Sequence, residues 1–208
     1  VLLRELTVAF YGVQLIYLPA LGFWLFLTAL GALLSKRIIP PAPGRIFALP
    51  LVFSVSLPVS IAMIRAGRIL FSGVPGAYLP FFEQLLAMAL ALLPAGLLSG
   101  LMFQWAAGHY AGEGGTLAPA YGEECAGGLA GGIFATACLQ WGVQNFAAAV
   151  ACCMLTVIAT GVIMPKGRHR FLRLTSFMTA ALFIIALLMA PDADRLMMSS
   201  TKSMHGHL

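Results

Sequence analysis

Only four charged side chains lie between Arg68 and Lys166: Glu83, Glu113, Glu123 and Glu124. All are acidic, and they sit in or beside long apolar runs. A carboxylate in such a place can hold a proton or a cation. Glu123 and Glu124 also stand where a helix would begin. There a carboxylate is stabilised by the helix dipole by roughly 0.3–1 kcal/mol, which is the simpler role. Tyr121 and Glu124 share a helical face with Gly128, Gly131 and Ala135, so Glu124 is expected to point into a packed interior. Arg4 and Glu5 form a second charged pair. Neighbours on a helix point about 100° apart, so these two are expected to find partners on other helices or on head groups. Arg4, Glu5, Glu123 and Glu124 are therefore the possible polar site.

Other chemistry is harder to assemble. His109, His169, His205 and His207 fall in expected loops or in the tail, so no apolar run offers a histidine to a haem or a metal. Cys125, Cys138, Cys152 and Cys153 make no zinc, haem-attachment or redox spacing. They read as small packing residues. No phosphate-binding loop occurs, and no Ser–His–Asp set can be built. The expectation is no catalytic residue, no cofactor and no metal in this segment.

The elements that carry these residues are membrane spans. The chain has 208 residues, 61% hydrophobic and 9% charged, with a mean hydropathy of +0.95. Soluble domains carry roughly 25% charged residues. The net charge of +5 does not indicate a nucleic-acid partner, because the basic residues cluster in short loops between apolar runs. Apolar runs at 14–35, 46–64, 81–105, 121–141, 145–164 and 172–190 each approach the roughly 20 residues that a bilayer requires. Residues 1–10 look like half of a helix, as though the chain were part of something longer. The expected fold is an all-α polytopic transmembrane bundle, six complete spans plus a partial N-terminal one. Residues 1–190 form the transmembrane domain and 191–208 a polar tail or linker. Residues 106–120 are expected to be a glycine-rich loop, and Gly142 marks a very short turn.

Lys and Arg concentrate on the cytoplasmic side of membrane proteins. The connections at 36–45 and 166–173 hold seven such residues: Lys36, Arg37, Arg45, Lys166, Arg168, Arg170 and Arg173. The opposite face holds four: Arg65, Arg68, Arg195 and Lys202. The first face is expected to be cytoplasmic.

Small residues at four-residue spacing let helices approach closely in lipid. Gly127, Gly128, Gly131 and Gly132 supply two overlapping pairs, and Gly96 and Gly100 supply a third. The expectation is that the span at 121–141 is central and buried, with its glycine face on the span at 81–105.

Several segments resemble the membrane half of bacterial spermidine-synthase-like proteins. They are Arg4-Glu5-Leu6 followed by Ala9-Phe10-Tyr11-Gly12, then Gly22-Phe23-Trp24-Leu25 and Ala29 to Leu34. Tyr121-Gly122-Glu123-Glu124 leading into the glycine pairs, and Asp194-Arg195-Leu196, also resemble that family. The resemblance implies transporter-like helices in a bacterial inner membrane. It also implies a polyamine aminopropyltransferase-like domain that this segment does not contain, so no catalytic residue follows from it. The expected function is a non-catalytic anchor, or a subunit of a larger membrane assembly. Its partners would be lipid and either other membrane chains or the missing soluble domain. A secondary transporter for a small cationic solute is one alternative. A structural subunit of a membrane redox or photosynthetic complex is another.

Overall fold

A computed structural model of the chain describes residues 1–10, 16–37, 43–71, 80–112, 114–163, 174–181 and 184. Its described residues form helices and no strands. In order these are α1 (Leu2–Ala9), α2 (Tyr17–Arg37), α3 (Pro43–Phe71), α4 (Phe81–Gly112), α5 (Leu117–Gln140) and α6 (Asn145–Ile163). A further helical segment covers residues 174–181.

Among the described residues four helices are long and apolar enough to cross a membrane, at Tyr17–Arg37, Arg45–Ala66, Phe81–Gly112 and Asn145–Ile163. At a rise of about 1.5 Å per residue, the 21 residues of α2 match a hydrocarbon core of about 30 Å. The expected count of six complete spans is not reached: four stand among the described residues. The run at 121–141 does form a helix, and its 24 residues are long enough. Its composition is the difference: five glycines and the Glu123-Glu124 pair dilute its apolar character. The run at 172–190 lies mostly outside the described residues.

The boundary expected at residue 105 also moves. α4 continues through Ala106-Ala107-Gly108-His109 to Gly112, with Trp105 and Ala107 buried. Alanine is the strongest helix former, and burial on this turn favours continuation. His109 therefore sits in the last helical turn and not in a loop. The α5–α6 turn matches its expectation. Gly142 adopts φ +79°, the left-handed conformation that ends many helices. Its N–H donates to the Leu139 carbonyl at 3.2 Å, and Val143 N–H donates to the Cys138 carbonyl at 3.0 Å.

Between helices in lipid there is no hydrophobic drive, so close packing and internal hydrogen bonds hold the bundle. The tightest contact joins α2 to α4. A Cβ on Gly31 would collide with the Leu97 carbonyl oxygen. One on Gly96 would come within 2.7 Å of Leu27 Cβ, and one on Gly100 would collide with the Thr28 carbonyl oxygen. One spanning helix, α3, separates α2 from α4 in the chain, so the two cross the membrane in the same direction. The described core gathers Leu6, Ile61, Met88, Leu92 and Ala149 from α1, α3, α4 and α6.

α3 carries Pro50 and Pro58, and α4 carries Pro94, each within a continuous helix. Proline removes one helical hydrogen bond. The hydroxyls of α3 stay within the helix: Ser54 Oγ donates to the Leu51 carbonyl and Ser56 Oγ to the Phe53 carbonyl, both at 2.7 Å. Ser35 and Ser60 are buried with no hydrogen-bond partner for Oγ among the described residues.

Candidate functional site

The first candidate lies where α1 meets the far end of α3. α1 is amphipathic, burying Leu2, Glu5, Leu6 and Ala9. Glu5 follows the apolar stripe inward, so its carboxylate requires a partner. Arg65 supplies it. Its Nη2 donates to Glu5 Oε1 at 3.0 Å, and its Nε lies 3.5 Å from Oε2. The guanidinium also lies 5.9 Å from the centre of the Phe146 ring, within the range of a cation–π contact. α1, α3 and α6 are thus tied together at one point. A carboxylate gripped from both oxygens is a clasp and not a free base. Arg4, one residue away, is exposed. The two neighbours do not share one partner on the bundle: Glu5 is held by α3, and Arg4 faces outward.

The second candidate is α5. Here the structure departs from the expectation of a central, buried helix. No residue of α5 is buried. Among the described residues, Gly127, Gly128, Gly131 and Gly132 have no heavy atom from another element within 4 Å of where a Cβ would stand. Gly96 and Gly100 do make a close helix crossing, but with α2. The reason is competition for one seam. α2 presents Thr28, Gly31 and Ala32 in register with Gly96 and Gly100, and a close approach on that face of α4 admits one helix. Glu123 and Glu124 are exposed and lie beyond the first turn of α5, which begins at Leu117, so Glu124 neither points into a packed interior nor stands at a helix start. Tyr121 meets α4 through its ring, 4.8 Å from that of Phe103 between centroids.

What α5 offers instead is an open groove of about 490 Å³ lined by Gly128, Leu129, Gly132, Ile133, Thr136, Ala137 and Gln140. Thr136 Oγ1 donates to its own helix at the Gly132 carbonyl, 2.8 Å away. That removes its donor from the groove. The surface is therefore a notch of small residues between aliphatic ridges, with carboxylates at one end. Its chemistry is that of helix contact. It holds no acid–base pair.

Among the described residues no group of three or more His, Cys, Asp or Glu side chains could hold a metal ion. The four cysteines are free thiols: Cys125 exposed, Cys138 and Cys152 half-buried, Cys153 buried.

Two functional positions escaped the sequence reading. Arg65 follows the apolar run at 46–64 and is expected in a connection, whereas it lies within α3. The apolar run ending one residue earlier was the available signal. The α2 seam was also missed, although Thr28, Gly31, Ala32 and Ser35 repeat at helical spacing in the sequence. Compared with known proteins, the chain matches no family model, no curated protein and no solved structure.

Proposed function

We propose that this chain is a membrane-embedded domain, non-catalytic in itself, that serves as a subunit or anchor within a larger assembly. The bacterial inner membrane and a spermidine-synthase-like protein are the setting that the sequence resemblance implies. One observation carries the reading. α5 is a helix of 24 residues with four consecutive-pair glycines, and no other described element covers them. Small residues on a helix in lipid gain most from another helix, because a flexible acyl chain fills such a notch less well than a rigid ridge does.

A transporter for a small cationic solute is the rival. Transporters of that kind bind solute near the midplane, between interrupted helices. Here Pro50, Pro58 and Pro94 lie in uninterrupted helices, and the groove on α5 is open and mostly apolar. These features favour the subunit reading.

The test is photo-crosslinking in native membranes, with the probe placed at Ile133 on α5 and, for comparison, at Leu18 or Phe26 on α2. A discrete protein adduct from Ile133 and lipid adducts from α2 are expected. Lipid adducts alone at Ile133 would sink the proposal. So would turnover of polyamine-synthesis substrates by the purified chain that is lost on Glu124→Gln.

A further inference from the structure

We draw no further inference here: the strongest candidate, the uncovered face of α5 along Gly128, Gly132 and Thr136 with Glu124 at its head, already carries the proposed function, and nothing in the structure shows what covers it.

Discussion

Arg65 Nη2 donates to Glu5 Oε1 at 3.0 Å, fastening α1 to α3 across sixty positions of the chain. Glu5 is buried while the Arg65 side chain is 28% exposed. A hydrogen bond between charged groups contributes about 1.5–3 kcal/mol, and solvent at the arginine places this pair at the lower end. Glu5→Gln and Arg65→Ala are each expected to lower the thermal midpoint of the detergent-solubilised protein. The double variant should lose less than the two single losses added together. Strict additivity would show that the two side chains do not interact.

The α2–α4 seam should be intolerant of side chains. Gly100→Ala places a methyl group against the Thr28 carbonyl and within 2.8 Å of Ala32 N. Overpacking of this kind costs about 1–3 kcal/mol. Gly128→Ala has open space around it and exchanges glycine for a better helix former. It should leave the isolated chain unchanged or up to about 1 kcal/mol more stable. Unfolding in graded denaturing detergent compares the two. Equal sensitivity would contradict the packing described above.

Thiol labelling reads the same contrast by another route. Cys125 is exposed on α5, and Cys153 is fully buried in α6. In mild micelles a maleimide should modify Cys125 first and reach Cys153 only after unfolding. Mass spectrometry of the peptides identifies the site. Early modification of Cys153 would mean that α6 does not pack as found.

Orientation follows from the parallel run of α2 and α4. Their C-terminal ends, at Arg37 and Gly112, must lie on one side of the membrane, and the end of the α3 span at Ala66 on the other. The Lys and Arg excess at 36–45 predicts that the first side is the cytoplasmic one. Reporter fusions after Arg37 and after Gly112 should both read as cytoplasmic. A fusion after Ala66 should read as external. Opposite signals from Arg37 and Gly112 would overturn this order of spans.

The solvent and the elements were legible in the residues alone. Continuous apolar runs at 14–35, 46–64, 81–105 and 145–164 are far longer than the alternating strands of about 10 residues that a barrel uses, so in lipid they satisfy their backbone groups as helices. Four spans stand close to those runs. The Gly142 turn was legible too, since a two-helix corner needs a residue that tolerates positive φ. Pairing was not legible. A stripe such as Gly127 to Gly132, or Gly96 with Gly100, says that a helix can be approached closely but not by which neighbour. Thr28, Gly31 and Ala32 of α2 met Gly96 and Gly100 because register and direction matched, and that left α5 uncovered. Nor could Glu5 announce Arg65. A charge states its need for a partner locally, and only the tertiary fold brings a residue sixty positions away within 3.0 Å of it.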